Sequence, residues 1–410
     1  MDRIILHSDL NNFYASVECL LHPELCTKHI AVCGSKEDRH GIVLAKNQLA
    51  KKCGVTTGET IWQAQKKCPD LVIVSPTFNM YSFYSKVVKN IYLRYTDKVE
   101  SFGPDECWLD VTGSTKLFGS GEEIAEKIRT AVKAETGLTV SIGVSFNKVF
   151  AKIGSDIRKP DAVTVISRGN YKEVLYNLPA DCMLGVGHST AKNLADQSIR
   201  TIGDLAAAPK DFLKERFGKC GEQIWMYANG LDDAEVTDAG FSYPIKSIGN
   251  GTTCTADLCN TTQVRNVIMY LATKVSHRLR MHKLKAGGIS LSIKNSSLKV
   301  REYRTQLPYA TVSIQALTAC AAELFKNNYD WSENVRAVTV RAINLQNGST
   351  PMQLSLFLDA ERIEKEKRAE DAMEDIKNRF GSEFITYAAL MGDMKIASDS
   401  DAKCTLPGHN

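Results

Sequence analysis

Apolar and polar residues alternate along the first part of the chain in patterns that predict short strands and amphipathic helices. Residues 3–8 form an apolar run typical of a buried strand, and a helix is predicted at residues 12–21. Between residues 80 and 95 the apolar side chains recur at helical spacing, which predicts a second helix.

The elements that follow complete the pattern of a small sheet. Residues 99–102 and 107–111 are predicted to be strands joined by a tight turn at Gly103 and Pro104. Three more elements follow: a helix at residues 122–135, a strand at 140–144 and a helix at 148–156. This order predicts a ferredoxin-like sheet with helices on one face.

Other segments differ in pattern. Residues 22–76 form a small module with glycine turns, which we expect to be inserted into the sheet domain. Its clearest helix is predicted at residues 46–53 and ends at Gly54. Residues 171–231 have the pattern of short helices, and residues 232–244 resemble a linker.

The last part of the chain repeats the mixture of strands and helices. Residues 245–345 follow the order strand, helix, strand, strand, helix, strand. An extended piece is predicted at residues 351–358 and an amphipathic helix at residues 360–380. The whole pattern predicts an α+β multidomain protein.

Composition excludes several classes. Hydrophobic residues make up 43% of the 410 residues, and no apolar run approaches the ~20 residues that span a bilayer. The N-terminus lacks the features of a signal peptide, so a cytoplasmic protein is expected. The twelve cysteines contain no Cys-x-x-Cys pair, and Cys254 and Cys259 have no second pair nearby. Reduced thiols are therefore expected rather than disulfides or a structural zinc site.

A net charge of +4 conceals a strongly basic segment. Residues 241–350 contain fourteen Lys and Arg against five Asp and Glu. This imbalance is typical of a protein that binds a polyanion, although a solvated basic face has the same composition. One acid, Glu302, accompanies the central basic run of Lys274, Arg278, Arg280, Lys283, Lys285, Lys294, Lys299, Arg301 and Arg304.

Three carboxylates occupy informative positions. Asp9 ends the first predicted strand, and Asp105 and Glu106 lie at the mouth of the predicted hairpin. Two consecutive acids at a strand start point to opposite faces, so one can bridge two ions while the other reaches one. Two hard cations about 3.5–4 Å apart, held by carboxylate oxygens, catalyse in-line phosphoryl displacement. The alternative is that these are turn acids exposed to water.

Aromatic and basic side chains accompany the carboxylates. Phe13 and Tyr14 follow Asp9 closely, where a ring can stack against a sugar or fill the core. Cations suited to a triphosphate cluster at Lys148, Lys152, Arg158 and Lys159, although such a run is also typical of a solvated helix face.

Five segments together carry a resemblance: DLNNFYASVE, PDECWLDVTGS, SIGVSFNKVFAKIGSDIRKP, LGVGHSTAKNL and QLSLF. In this order and spacing the chain resembles the Y family of lesion-bypass DNA polymerases over about residues 1–358. The resemblance implies a palm (1–21 and 77–168), fingers (22–76), a thumb (169–231), a linker (232–244), a little finger (245–347), and a clamp-binding peptide with a C-terminal helix and tail (348–410).

The resemblance also implies roles for single residues. Asp9, Asp105 and Glu106, with the carbonyl of Leu10, match the ligands of two Mg²⁺ ions. Tyr14, with Phe13 beside it, matches the steric gate that excludes a ribose 2′-OH. Triphosphate contacts are implied for Lys159, Gln48 and Lys51.

The sequence departs from the commoner family pattern. Gln48 and Lys51 stand where bacterial and archaeal members have Tyr and Arg, and Lys offers a point charge instead of a bidentate fork. Asn11 and the NFYAS string resemble the catalytic subunit of DNA polymerase V more than DNA polymerase IV. A subunit that serves SOS mutagenesis with accessory proteins is therefore an alternative.

Two further segments indicate macromolecular partners. Gly185 and Gly187 lie in a predicted helix–hairpin–helix, about residues 183–194, whose backbone N–H groups can approach a phosphate of DNA. Arg301 and Arg304 are further DNA contacts. The QLSLF segment resembles the peptide that binds the bacterial sliding clamp, and a short edge strand is the alternative; its contacts would come from Gln353, Leu354, Leu356 and Phe357.

The resulting hypothesis is a monomeric, template-directed DNA polymerase without proofreading. It would add dNTPs to the primer 3′-OH of primer–template DNA during translesion synthesis and DNA repair. Two alternatives remain: a catalytically silent scaffold that binds DNA and clamp, and another palm-type enzyme such as a nucleotidyl cyclase.

Overall fold

The computed structural model describes residues 2–39, 41–241, 243–350, 359–381 and 384–397, without the side chain of residue 360. The described residues form two compact units. The first comprises residues 2–34 and 42–241, and the second comprises residues 35–39, 41 and those from 243 onward.

The first unit contains two sheets. Its strands are β1 (Ile5–Leu10), β2 (Ile30–Cys33), β3 (Val43–Lys46), β4 (Val72–Val74), β5 (Val99–Ser101), β6 (Glu106–Asp110), β7 (Val140–Ser145) and β8 (Val163–Ile166). Five strands form one sheet in the order β5-β6-β1-β7-β8, and three form the other in the order β3-β2-β4.

Eleven α-helices accompany the sheets in the described part of this unit. They are α1 (Phe13–Leu21), α2 (Gln48–Lys52), α3 (Ile61–Lys67), α4 (Phe78–Tyr92), α5 (Thr115–Phe118), α6 (Gly121–Thr136), α7 (Lys148–Ile157), α8 (Tyr171–Leu175), α9 (His188–Ala195), α10 (Ile202–Ala207) and α11 (Lys210–Ala228). Helices α8–α11 form a helical cluster whose core they share with α7. The predicted helix at residues 46–53 begins later than expected. Lys46 ends β3, and the side chain of Asn47 caps α2 by accepting a hydrogen bond from the Ala50 N–H.

The first four strands of the ferredoxin-like pattern pair as predicted. Strand β1 is antiparallel to both β6 and β7, and an unpredicted strand, β8, runs parallel to β7 at the edge. Helix α6 ends as the sequence indicates, because Gly137 adopts a left-handed conformation with φ +74°.

Helices cover both faces of the five-stranded sheet, which differs from the predicted single face. Leu6 and Leu10 of β1 join the core beneath α4 and α6. On the opposite face Ile5 packs with Ala151 of α7. Gly143 of β7 permits this approach, since a Cβ atom there would lie 1.9 Å from the Ala151 carbonyl oxygen. All six residues of β1 are buried, as double-sided packing requires.

The second unit has the predicted order of elements. These are β9 (Ile248–Leu258), α12 (Thr261–Met281), β10 (Leu284–Asn295), β11 (Val300–Thr311), α13 (Ile314–Asn328), β12 (Val335–Asn347) and α14 (Ala360–Phe380). The sheet order is β11-β10-β12-β9, all antiparallel. Helices α12 and α13 share one hydrophobic core with the sheet.

The predicted C-terminal helix, α14, packs on this unit through a buried carboxylate. Glu370 accepts hydrogen bonds from the hydroxyl of Ser313 at 3.0 Å and the N–H of Ile314 at 3.1 Å. A carboxylate at the N-terminus of α13 satisfies its unpaired N–H groups and complements the helix dipole. The α+β multidomain fold class predicted from the sequence is confirmed.

Candidate active site

Strand register brings two of the predicted carboxylates together. Asp9 at the end of β1 pairs directly with Glu106 at the start of β6, so both side chains project from the same face of the sheet. That face is the one covered by α7, because His7 of β1 contacts Ser155 of α7 at 2.9 Å. Asp9 is buried and Glu106 is half-buried.

Two lysines form ion pairs with these carboxylates: Lys152 within α7 and Lys159 just after it. The Lys152 Nζ lies 3.0 Å from Oε1 of Glu106 and 3.4 Å from Oδ2 of Asp9. The Lys159 Nζ lies 2.7 Å from the same Asp9 oxygen. Asp156 contacts both ammonium groups, at 3.2 Å and 2.7 Å. Lys159 therefore lies at the carboxylate cluster, and Lys152 is more central than the sequence indicated.

Asp105 directly precedes Glu106, and its backbone links to the first strand. Its carbonyl oxygen accepts a hydrogen bond from the Leu10 N–H at 3.1 Å. Burial, and then the neighbouring Glu106 charge, raise the pKa of Asp105 to about 6. Burial raises the pKa of Asp9 to about 7, with Lys159 opposing the shift. Carboxylates whose charged forms are disfavoured by burial and by one another fit a site for hard divalent cations.

Glu106 differs from its two neighbours. Burial opposes its ionisation, but His7 and Lys152 outweigh burial and hold the pKa of Glu106 at about 2. The His7 Nε2 lies 3.3 Å from Oε2 of Glu106. Burial lowers the pKa of His7 to about 4, so His7 is neutral near pH 7. The sequence analysis missed His7; its signal was a polar residue inside a buried strand, two positions before Asp9.

The two aromatic candidates have different surroundings. Tyr14 is half-buried at the start of α1, and its ring stacks on Tyr81 with centroids 4.1 Å apart and planes 10° apart. Phe13 is 3% exposed and belongs to the core of the five-stranded sheet. Tyr14 is therefore the ring that remains accessible, whereas Phe13 supports it from the core.

Gln48 and Lys51 lie on α2, beside the three-stranded sheet. Gln48 is half-buried and Lys51 is exposed. Lys46 is a neighbouring cation that the sequence analysis did not single out, and its Nζ donates to the Thr57 hydroxyl at 2.8 Å. Burial, and then the Lys51 charge, lower the pKa of Lys46. Two lysines that repel one another in this way offer a place for an anion.

The predicted helix–hairpin–helix turn precedes α9. Gly185 has φ +89°, a conformation that favours glycine, and Gly187 is the N-cap of α9. Both glycines are exposed, and a Cβ atom at Gly187 would meet no heavy atom within 4 Å. The turn is therefore open to an approaching phosphate at Gly187, whereas the Val186 N–H already donates to the Met183 carbonyl at 3.0 Å.

The two arginines predicted to share a DNA face do not share one. Strand β11 pairs Arg301 with Ile293, a core residue, and Arg304 with Ser290. Since side chains alternate along a strand, Arg304 projects from the face opposite α12 and α13, and Arg301 from the helix side. Arg341 of β12 also pairs with Ser290 and joins Arg304 on the helix-free face.

Two arginines of the basic run already make polar contacts within the second unit. Arg280 pairs with Glu370 and Asp371 of α14, each at 3.3 Å. Arg278 donates to the Gly249 carbonyl at 2.9 Å. Glu302 is the one acid within the run in the sequence, and α14 adds two more acidic neighbours in the folded unit.

The predicted clamp contacts Gln353, Leu354, Leu356 and Phe357 lie outside the described residues. Among the residues that are described, no helix combines the length and apolar character needed to cross a membrane.

Comparison with known families matches three parts of the chain. Residues 8–156 match the impB/mucB/samB family, and residues 245–356 match the C-terminal domain of that family. Residues 181–232 match the thumb domain of DNA polymerase-iota.

Whole-length relatives are also found. The DNA polymerase IV of Acetivibrio thermocellus is 49% identical over 96% of this chain and 98% of its own length. DNA polymerase IV 1 of Bacillus subtilis is 33% identical over 95% of this chain and 93% of its own. Among solved structures, a Y-family DNA polymerase chimera aligns with a TM-score of 0.75 at 24% identity, covering 84% of this chain and 99% of that one.

Proposed function

Because the chain belongs to the Y family of translesion DNA polymerases, represented here by the impB/mucB/samB family, we propose that Asp9, Asp105 and Glu106 are its catalytic carboxylates. The chain is a DNA-directed DNA polymerase. The observation that carries the proposal is the pairing of buried Asp9 on β1 with half-buried Glu106 on β6, on one face of the sheet.

The proposed reaction is template-directed nucleotidyl transfer. The primer 3′-OH loses its proton to solvent and its oxygen forms a bond to the α-phosphorus of a dNTP. The bond from that phosphorus to the oxygen bridging the β-phosphate breaks, and pyrophosphate leaves. Two Mg²⁺ ions held by the three carboxylates and the Leu10 carbonyl would supply Lewis-acid stabilisation of the charge on the phosphoryl oxygens. Y-family polymerases are metal-dependent, and hard oxygen donors of this kind suit Mg²⁺.

Lys152 of α7 and Lys159, which follows that helix, have different proposed roles. Lys152 offsets the charge of Asp9 and Glu106, which keeps both carboxylates near one another in the folded chain. Lys159, 24% exposed, is the more accessible cation and is proposed to contact the triphosphate. Gln48 and Lys51 are proposed to contact the same triphosphate from α2.

Sugar selection is assigned to Tyr14. Its ring is held flat on Tyr81, which restricts its movement when a nucleotide sugar packs against it. A 2′-hydroxyl at that position would overlap a ring that cannot retreat. Phe13 supports Tyr14 and is not proposed to touch the sugar.

Primer–template DNA is proposed to contact backbone N–H groups at Gly185 and Gly187 and cations on the helix-free face of the second unit, Arg304 and Arg341. The first unit is proposed to contain the palm, fingers and thumb, and the second the little finger with its C-terminal helix. The QLSLF peptide is proposed to bind the sliding clamp, and the enzyme is proposed to act as a monomer. The names of the relatives favour a role like that of DNA polymerase IV over the polymerase V alternative.

Primer extension tests this proposal. The full-length protein should extend a labelled primer by the nucleotide that complements the template, on damaged and undamaged templates, when Mg²⁺ and dNTPs are present. A mismatched 3′ end should persist without being shortened, since no proofreading is proposed. Absence of extension would support the silent-scaffold alternative, and shortening of the mismatched primer would contradict the absence of editing.

A further inference from the structure

Three potential metal ligands converge in the small module that contains α2 and α3, apart from the carboxylate cluster. They are His29, Cys53 and Cys68, and their ligand atoms all lie within 4.8 Å of one another. Cys68 is 3% exposed, and His29 and Cys53 are half-buried. Among the described residues, Cys254 and Cys259 do not form such a group.

Local backbone structure places each member of this group. Cys53 follows α2, and its N–H donates to the Ala50 carbonyl at 3.2 Å. Cys68 follows α3, and its carbonyl accepts from the Leu71 N–H at 3.1 Å. His29 precedes β2, and its carbonyl accepts from the Val72 N–H at 2.8 Å. The three ligands therefore come from the ends of three different elements.

We propose that the imidazole of His29 and the thiolates of Cys53 and Cys68 bind one Zn²⁺ ion, with water as the fourth ligand. Two sulfurs and one nitrogen form a donor set that suits this ion. In a tetrahedral site with bonds of about 2.0–2.3 Å the ligand atoms lie roughly 3.5–4 Å apart, so the group needs only a small contraction.

The binding step is a proton exchange without oxidation or reduction. Zn²⁺ displaces one proton from each thiol, both protons pass to solvent, and two S–Zn bonds and one N–Zn bond form. Burial, and then the hydrogen bond with Cys53, raise the pKa of the Cys68 thiol to about 11. Because each thiol must lose its proton to bind the metal, binding strengthens as pH rises.

The position of the proposed site indicates that bound Zn²⁺ would stabilise the module. The core of the module consists of few residues, which are Ala31, Cys33, Val43, Ala50, Val55, Ile61, Ala64, Cys68 and Leu71. Small cores gain stability from a metal that joins distant segments. Cys53 directly follows the helix that carries Gln48 and Lys51, so bound Zn²⁺ would hold that helix against α3 and β2.

Cobalt substitution tests the site directly in the full-length protein. The protein, kept reduced and stripped with a chelating resin, is titrated with Co²⁺ and followed by absorption. One equivalent should produce a thiolate-to-cobalt charge-transfer band and the visible bands of a tetrahedral ion, and Zn²⁺ should abolish both. The carboxylate cluster has no sulfur ligand, so it cannot give the charge-transfer band even if it binds Co²⁺.

Variants then identify the ligands. Cys53→Ser and Cys68→Ser should each weaken the charge-transfer band, the double variant should lose it, and His29→Gln should weaken Co²⁺ binding by about tenfold or more. Cys26→Ser is the matched control, because Cys26 is an exposed cysteine of the same module outside the group. No band in the unaltered protein, or a full band in the Cys53→Ser, Cys68→Ser double variant, would overturn the proposal.

A second measurement needs no variant that might misfold. Alkylation of the unaltered protein, mapped by mass spectrometry, should slow about tenfold or more at Cys53 and Cys68 when Zn²⁺ is added, and stay constant at Cys26. Equal alkylation rates with and without Zn²⁺, or a Cys53–Cys68 disulfide in freshly isolated protein, would contradict the site. Polymerase activity enters neither measurement, so failure here would leave the proposed function standing.

Discussion

The Lys152 ammonium group lies between two carboxylates from neighbouring strands, 3.4 Å from Asp9 and 3.0 Å from Glu106. The Lys152 side chain is 16% exposed, so these contacts are poorly screened by water. The Lys152 ammonium group is thus a fixed cation beside the site proposed for two metal ions. Lys152 and the metal ions would compensate the negative charge of the same carboxylates.

We expect Lys152→Met to destabilise the metal-free protein. Removing one partner of a buried ion pair leaves uncompensated charge, and the free energy of unfolding should fall by roughly 3 kcal/mol. Mg²⁺ should restore part of this loss, because it replaces the missing positive charge. Thermal unfolding with a chelator and with Mg²⁺ measures both values.

Lys133→Met is the matched control for that variant. Lys133 is 56% exposed and pairs with Asp161 at the surface, so its loss should cost less than about 1 kcal/mol. Mg²⁺ should not change that cost. If Lys152→Met were equally destabilised with and without Mg²⁺, Lys152 and the metal would not serve the same carboxylates.

Tyr14→Ala should relax sugar selection. The crowding that excludes a 2′-hydroxyl is worth ~1–3 kcal/mol, which corresponds to about 5- to 150-fold in the ratio of kcat/KM for dCTP to that for CTP opposite template G. Incorporation of dCTP should be retained in part. The two kcat/KM values and a melting curve are the measurements.

Phe13→Leu distinguishes relaxed sugar selection from a general loss of stability. Phe13 is 3% exposed, so the substitution should lower stability by up to about 1.5 kcal/mol and leave the dCTP to CTP ratio near that of the unaltered enzyme. A folded Tyr14→Ala enzyme with an unchanged ratio would remove Tyr14 from its proposed role as the gate.

The helix-free face of the second unit should contribute salt-dependent DNA binding. Replacing Arg304 and Arg341 with Ala should weaken binding to every sequence alike, and each lost phosphate contact should reduce the log–log salt slope by about 0.9 on duplex DNA. Arg301→Ala is the comparison, because Arg301 projects from the helix side of β11. Equal effects of Arg301→Ala and Arg304→Ala would mean that the face of the sheet does not decide DNA contact.

Deletion of residues 353–357 should leave clamp-independent synthesis unchanged and abolish stimulation by a bacterial sliding clamp. The proposed contacts are apolar side chains that fill a pocket on the clamp, with the Gln353 amide at its rim. A shuffled peptide of the same composition is the control for chain length. Stimulation that persists in the deletion variant would refute the clamp assignment.

Local patterns made much of the fold predictable. Strand and helix order followed from hydrophobic spacing, and Asp9 and Asp105 lay in contiguous motifs at strand ends. The period of two along β11 could also have separated Arg301 from Arg304. The prediction was wrong because it treated the basic run as one face and ignored the alternation of side chains along a strand.

Contacts between distant segments were not predictable in the same way. The acids that pair with Arg280 lie about ninety positions further along the chain. His29, Cys53 and Cys68 have no motif spacing, because their proximity depends on the packing of three separate elements. Helix α7 was expected beside the other helices, but nothing in its own sequence specified the face of the sheet it would cover.

The central claim is that Asp105 belongs to the catalytic carboxylates. Single-turnover primer extension and DNA binding should be measured for Asp105→Ala and for Asp97→Asn, an exposed acid in the same domain. Loss of several kcal/mol of transition-state stabilisation should slow extension by Asp105→Ala on the order of 10³-fold or more, with DNA binding retained and Asp97→Asn unaffected. Extension by a folded, DNA-binding Asp105→Ala enzyme at nearly the unaltered rate would contradict the account.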